Sequence, residues 1–155
     1  MSYYLCMIAT IFAQKELTFI FALALSLLAG FLIGLEREAR GKDAGISTHS
    51  LVIMGSMLFT FISLNIEPDH AARIAAQIVT GIGFLGAGLI LKEGTTVHNL
   101  TTAASLWFAA AIGMAFGFGF YVIGILSVFV AILTLRIPHL ASPKEHDEPK
   151  LKPKR

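Results

Sequence analysis

The run from Arg73 to Leu91 constrains the fold of this chain most strongly, because it has nineteen residues and no charge after the first. In a water-exposed helix each of its glycines would cost roughly 1 kcal/mol relative to alanine. In a bilayer, backbone hydrogen bonds cannot be exchanged for water, and small residues let helices approach closely. The run therefore predicts a transmembrane helix at the centre of the fold. Helix packing is expected at its four glycines, Gly81, Gly83, Gly86 and Gly88.

The same run contains the pattern G-x-G-x-x-G, from Gly81 to Gly86. In dinucleotide-binding turns a strand precedes this pattern, a helix opens within it, and an acidic residue follows about twenty positions on. Here both flanks are apolar, which disfavours a nucleotide site.

The overall composition also points to a membrane protein. Hydrophobic residues make up 55% of the 155 residues and charged residues only 14%, compared with about a quarter in soluble domains. The net charge of +2 is too small to indicate a nucleic-acid partner. A single cysteine, Cys6, excludes an internal disulfide and a thiolate metal site.

Five membrane spans are predicted from the apolar runs. The first, Leu17–Leu35, has nineteen uncharged residues and would rise about 28 Å as a helix, close to the thickness of the hydrocarbon core. The second ends at about Leu64, and the glycine-rich run is the third. The uncharged stretch Thr101–Leu135 is too long for one span, so we divide it at Gly117–Gly119 into two helices. The predicted fold class is an all-α membrane protein.

A second glycine pair lies near the end of the first span. Gly30 and Gly34 have the G-x-x-x-G spacing, which places both on one helix face. We expect a helix contact there.

The chain is predicted to divide into three segments. Residues 1–16 are expected to be an N-terminal interfacial segment, because Tyr3–Ala13 is too short to cross a bilayer and is followed by the polar Gln14–Glu16. Residues 17–137 form the transmembrane domain. Residues 138–155, rich in proline, lysine and glutamate, are expected to be a disordered cytoplasmic tail.

The first helix is predicted to continue into water beyond Leu35. Two charge pairs with i,i+4 spacing support this extension, namely Glu36 with Arg40 and Glu38 with Lys42. Ser47 or Thr48 is then expected to cap the second helix.

Five spans bring several polar residues to one membrane face. Glu36 and Arg37 follow Leu35 directly, so they are expected at membrane depth, where an ionisable group has a partner or a function. As helix neighbours they point in different directions, so each needs its own partner. The alternative is that such charged residues are solvated headgroup anchors. Asn99, Thr101 and Thr102 are expected to be helix caps or interhelical hydrogen-bonding groups. The predicted cluster comprises Glu36, Arg37, Asp43, Thr48, His49, Glu93, Asn99, Thr101 and Thr102.

Four blocks of sequence resemble the MgtC/SapB family of bacterial membrane proteins. They are GFLIGLERE at Gly30–Glu38, GKDAGISTHSLV at Gly41–Val52, RIAAQIVTGIGFLGAGLILKEG at Arg73–Gly94 and NLTTAASLWFAAAIGMAFG at Asn99–Gly117. The resemblance implies an inner-membrane protein tied to growth at low magnesium, to intramacrophage survival in pathogens and to restraint of the membrane ATP synthase.

The chain departs from the family in two ways. Ser47 stands where the family usually has arginine, which puts an anion-binding role of the first loop in question. Longer family members carry a soluble C-terminal domain, so this chain is expected to be a short form without it.

Three classes of function follow from these observations. A non-enzymatic regulator of magnesium homeostasis, acting on a membrane-protein partner or as a homo-oligomer, is the preferred one. The alternative is a transporter of magnesium or another cation, with carboxylates as the oxygen ligands that Mg²⁺ prefers, although all of them lie at helix ends. An enzyme is disfavoured, because Asp43, Ser47 and His49 lack a nucleophile elbow. No cofactor is expected, and Mg²⁺ is the one candidate metal.

Orientation follows from the distribution of lysine and arginine. Ten of the twelve lie in the two loops and the tail that share one face, while Lys15 and Arg73 lie on the other. The positive-inside rule therefore predicts an outer N-terminus and a cytoplasmic C-terminus in the bacterial inner membrane.

Reporter fusions check this orientation. We expect fusions at Pro68 and Ser142 to report opposite sides of the membrane, because an odd number of spans separates them. The same side at both positions would contradict the five-span topology.

Overall fold

The computed structural model describes residues 2–66, 68–93 and 96–137, with side chains described from Ala13 onward except that of Glu93. The predicted tail, 138–155, lies outside the described residues. A 3₁₀ turn, Pro68–His70, joins the second helix to the third. The elements in chain order are α1 (Ser2–Ala39), α2 (Ile46–Ile66), α3 (Ala71–Leu89), β1 (Leu91–Glu93), β2 (Thr96–His98), α4 (Leu100–Gly117) and α5 (Tyr121–Arg136).

The predicted all-α membrane architecture is confirmed. Four helical segments are long and apolar enough to cross a membrane: Ala13–Ala39, Ile46–Ile66, Pro68–Leu89 and Leu100–Gly117. Helix α5 is shorter, with sixteen residues and a rise of about 24 Å. The chain reverses between α4 and α5 at Gly119, whose φ of +81° glycine adopts without strain.

Helices α2 and α4 form the centre of the bundle. Helix α2 packs between α1 and α4, and the core contains Ile33 of α1, Ile53 and Met57 of α2, and Phe116 of α4. Half of the α4 span is buried, compared with 17% of the α3 span. The prediction that α3 is the central helix is therefore wrong. Lipid solvates an apolar side chain as well as a neighbouring helix does, so apolar character alone does not identify the innermost span.

Glycines on α1 and α4 bring both helices against the backbone of α2. A Cβ at Gly30 would lie 2.6 Å from the Ser50 nitrogen, and one at Gly117 would lie 2.6 Å from the Met57 carbonyl oxygen. Gly34 and Gly113 approach α2 equally closely. The helix contact expected at Gly30 and Gly34 is therefore present.

The glycines of α3 do not make such close contacts with a neighbouring helix. A Cβ at Gly86 would make an ordinary contact of 3.6 Å with Ala103 of α4. Around Gly81, Gly83 and Gly88, nothing in the described part of the chain lies within 4 Å of such a Cβ. The packing expected at these three positions is thus not made within the single chain, because they face away from α4.

Helix α1 is continuous from Ser2 through Gln14–Glu16, since these residues are good helix formers, and the interfacial position of residues 1–16 stays a prediction. Between α3 and α4, the expected loop is a short antiparallel hairpin in which Lys92 pairs with Val97.

Substitution at Gly113 tests the close approach of α4 to α2. A Cβ there would collide with the Ile53 carbonyl group. We expect Gly113→Ala to lower the free energy of unfolding by about 1–3 kcal/mol through overpacking. Gly83→Ala is the matched control, since that position is open, and it should be neutral or slightly stabilising. Equal stability of both variants in detergent would contradict the packing described here.

Candidate functional site

Polar side chains converge where α1 ends and where α2 and α4 begin. Six of them form what we call the polar cluster: Glu36, Arg37, Arg40, His49, Thr102 and Ser105. The opposite end of the bundle is marked by Lys15, Asn65 and Gly119, which line one shared cavity. The predicted gathering of polar residues on one face is therefore present.

Arg37 is the most deeply buried charged residue of the cluster, at 2% exposure. Its Nη2 donates a hydrogen bond to Thr102 Oγ1 over 2.8 Å, which links α1 to α4. Its Nε has no hydrogen-bond partner among the described residues. Because an arginine remains charged, burying it costs several kcal/mol unless nearby charges and hydrogen bonds compensate.

Glu36 supplies part of that compensation. It is 8% exposed, and its Oε1 lies 2.5 Å from Arg40 Nε, one helical turn along α1. Its Oε2 is buried without a hydrogen-bond partner in the described ranges. As expected for helix neighbours, Glu36 and Arg37 have separate partners.

His49 connects α2 to α4 within the same cluster and is fully buried. Its Nδ1 lies 3.0 Å from the Gly45 carbonyl oxygen, and its Nε2 lies 3.2 Å from Ser105 Oγ. Since a carbonyl oxygen only accepts, Nδ1 carries a hydrogen. Ser105 Oγ also lies 2.7 Å from the Thr102 carbonyl oxygen. Polar groups therefore lie in series from Arg37 to His49, with the Thr102 hydroxyl bonded to Arg37 and the Thr102 carbonyl oxygen and His49 Nε2 both beside the Ser105 hydroxyl.

Two acceptors compete for one hydrogen in this series of polar groups. The Ser105 hydroxyl has a single hydrogen and two neighbouring acceptors, the Thr102 carbonyl oxygen and a neutral His49 Nε2. If His49 is neutral, the hydroxyl donates to Nε2. If His49 is protonated at both nitrogens, Nε2 donates to Ser105 and the hydroxyl donates to Thr102. The protonation state of His49 thus sets which partner donates in the bond between His49 of α2 and Ser105 of α4.

The connection between α1 and α2 corrects two predictions. Helix α1 ends at Ala39, and Gly41 has a φ of +63°, so Lys42 lies beyond the helix and its expected pairing with Glu38 does not fit. Instead, Glu38 Oε1 accepts a hydrogen bond of 2.9 Å from the backbone nitrogen of Ile46, the first residue of α2. Glu38 therefore accepts a hydrogen bond from the first backbone N–H of α2. The prediction that Ser47 or Thr48 caps α2 is wrong, because both residues lie inside the helix.

Asn99 and Asp43 form a polar contact at the rim. Asn99 Nδ2 donates to Asp43 Oδ2 over 2.6 Å. Asn99 has a left-handed backbone, with a φ of +63°, and its side chain makes no capping bond to α4. The expected cap is thus replaced by a bond between the α1–α2 loop and the residue before α4.

The remaining predicted residues lie around the cluster. Thr48 is half-buried, and Thr101 is exposed beside a cleft of about 220 Å³ between α4 and α5. The side chain of Glu93 lies outside the described residues. Ser105 was not predicted, although its spacing of three residues from Thr102 on one helix was a signal that could have found it.

The geometry limits the chemistry of this end. His49 bonds to Gly45 and Ser105, and Asp43 bonds to Asn99, so Asp43, Ser47 and His49 are not joined as a triad. Within the described ranges, no three histidine, cysteine, aspartate or glutamate side chains are grouped to hold a metal ion. The cluster is best described as buried charges joined by interhelical hydrogen bonds.

Substitution of Thr102 tests this interhelical bond. Thr102→Val keeps the shape but removes the acceptor for Arg37, so we expect it to lower the free energy of unfolding by about 1–3 kcal/mol. Thr101→Val is the control at an exposed position and should change stability by less than about 0.5 kcal/mol. Unfolding measured in detergent compares the two, and equal losses would contradict the importance of the buried bond.

A model of the MgtC family matches residues 23–141. Over 130 residues the chain is 45% identical to YhiD of Escherichia coli (strain K12), named as a proposed magnesium transporter, with 78% of this chain and 60% of YhiD covered. Protein MgtC of Salmonella typhimurium (strain LT2) is 50% identical over 101 residues, covering 65% of this chain and 44% of that protein.

A further relative, slr0014 of Synechocystis sp., is 45% identical over 118 residues, covering 74% of this chain and 50% of the relative. The chain thus spans about half the length of the relatives it matches. No solved structure matches it. Since the family model matches well over half of the chain, the chain belongs to the MgtC family.

Proposed function

We propose that this protein is a non-enzymatic regulator of magnesium homeostasis that acts on a protein partner in the bacterial inner membrane. Its N-terminus would lie outside and its C-terminus in the cytoplasm, as the positive-inside rule favours. The candidate partner is the membrane ATP synthase, as the family resemblance implies. Membership of the MgtC family supports the link to magnesium.

Burial of Arg37 is the observation that favours regulation over cation passage. The guanidinium lies where α1 and α4 meet, at 2% exposure. A divalent cation about 4 Å from it would be repelled by roughly 8 kcal/mol at an effective dielectric constant of about 20, before Glu36 offsets part of this cost. A route for Mg²⁺ through this part of the bundle is therefore disfavoured.

The outer face of α3 offers a surface for a membrane partner. We define this face by Val79, Gly83 and Phe84, of which Phe84 is 82% exposed. Small residues on an exposed face allow a partner helix to approach closely, and the open space around a Cβ at Gly83 is consistent with such an approach. A second copy of the chain is the other candidate for the same face.

Cation transport is the second candidate function. Its support is the name of YhiD and the buried Glu36 Oε2, which lacks a hydrogen-bond partner among the residues described. A carboxylate oxygen of this kind is a ligand type that Mg²⁺ accepts.

Photo-crosslinking in native membranes tests the regulator. A photoreactive amino acid at Phe84 is compared with one at Phe129, an exposed aromatic residue of α5 at 62% exposure. We expect Phe84, and not Phe129, to give an adduct with a subunit of the ATP synthase. An adduct with the chain itself would assign the face to a homo-oligomer, and equal labelling at both positions would contradict a specific partner surface.

Magnesium flux is the control for the second candidate. Purified protein is placed in vesicles that contain a magnesium-sensitive dye, and entry is compared with empty vesicles. If the protein is a regulator, we expect no magnesium entry above that of empty vesicles. Entry that saturates with magnesium and is lost in Glu36→Gln would overturn it in favour of the transporter.

A further inference from the structure

A polar cavity lies at the end of the bundle opposite the polar cluster. It has a volume of about 270 Å³ and is bounded by the end of α2, the 3₁₀ turn and the first turns of α3. Its lining residues are Ser63, His70, Arg73, Ile74 and Gln77. No motif or comparison above assigns a role to it.

The lining of this cavity suits an anion. Arg73 contributes a cation with several donors, and Gln77 and His70 contribute further hydrogen-bonding groups. Ser63 is 3% exposed, and its Oγ has no hydrogen-bond partner in the described part of the chain. A buried hydroxyl without a partner is unfavourable by about 1–3 kcal/mol, so an acceptor in this cavity would satisfy it.

An apolar groove continues from the polar cavity along α2 and α3. Its volume is about 590 Å³, and it shares Ile74 and Gln77 with the cavity. Its far end is lined by Leu85. Gly55 and Gly81 border it from opposite helices, and a Cβ at either would have nothing from the described residues within 4 Å. The two glycines therefore leave the groove open.

The cavity and the groove together match the length of one leaflet of a bilayer. From Arg73 to Leu85 helix α3 rises about 18 Å. The hydrocarbon core is about 30 Å thick, so the acyl chains of one leaflet occupy about 15 Å. We propose that the cavity and the groove together bind one phospholipid, with its phosphate beside Arg73, His70 and Ser63 and an acyl chain between α2 and α3.

A phospholipid fits better than a helix from a second copy. A helix about 10 Å wide is broader than an acyl chain, so it would lie across the opening of the groove without filling it. The phosphate carries the charge complementary to Arg73, and an arginine binds phosphate oxygens with two parallel hydrogen bonds. Only an amphipathic ligand uses both the polar cavity and the apolar groove.

Native mass spectrometry of the full chain in detergent tests this proposal. Dioleoyl phosphatidylglycerol is titrated beside dioleoylglycerol, which has the same acyl chains without phosphate. We expect one bound phosphatidylglycerol with an affinity at least about tenfold above that of dioleoylglycerol, the effect of one hydrogen bond to a charged group. Equal binding of both would overturn the phosphate site.

Two pairs of variants distinguish the contribution of the headgroup to binding from that of the acyl chain. Arg73→Gln should abolish the preference for phosphatidylglycerol, whereas Lys15→Gln, at the same end of the bundle, should retain it. Gly81→Leu fills the groove and should weaken both lipids about tenfold, whereas Gly83→Leu, equally open but outside the groove, should bind as the parent does. If Gly81→Leu does not fold, the first pair decides the outcome.

Two further results would overturn the proposal. Competition by inorganic phosphate at concentrations similar to those of the lipid would indicate a free-anion site. Loss of a dimer in Gly81→Leu, with lipid binding unchanged, would assign the groove to a second copy.

Discussion

The close approach of α1 and α4 to the backbone of α2 is the interaction on which this structure depends. Between membrane helices there is no hydrophobic force, since lipid is as apolar as a leucine side chain, so association relies on packing. Gly30 and Gly34 on one side of α2, and Gly113 and Gly117 on the other, provide that packing at the same four-residue spacing. This contact fixes the distance between α1 and α4 across α2. The bond from Arg37 to Thr102 depends on that distance.

Much of the fold could be predicted from the sequence, because the bilayer thickness sets helix length and charged residues mark helix ends. The break near Gly119 and the gathering of the polar loops follow from these constraints. The peripheral place of α3 could not be predicted, because its glycines and apolar residues suit contact with lipid or with protein equally. The β1–β2 hairpin was missed because strands of three residues are too short to show periodicity.

The candidate site was predictable in its residue types and less so in its bonds. Burial of Glu36 and Arg37 follows from their place directly after an apolar span. The role of Glu38 depends on where α1 ends, and the bond of Ser105 to His49 depends on how α2 and α4 are rotated, which the three-residue spacing of Ser105 from Thr102 does not specify. Interhelical hydrogen bonds require three helices in register, and a single sequence does not specify this.

The placement of α3 has a consequence for how the two ends of the bundle communicate. The interhelical hydrogen bonds of the polar cluster join α1, α2 and α4, whereas α3 packs on α2 and α4 through apolar residues that include Ile78 and Ile82. A change in the tilt of α3 would break none of these interhelical bonds directly, but it would shift the packing of Gly86 against Ala103, the neighbour of Thr102, and would pull on the hairpin that leads to Asn99. Motion of α3 can therefore reach the polar cluster along two contiguous paths, through its packing on α4 and through the hairpin.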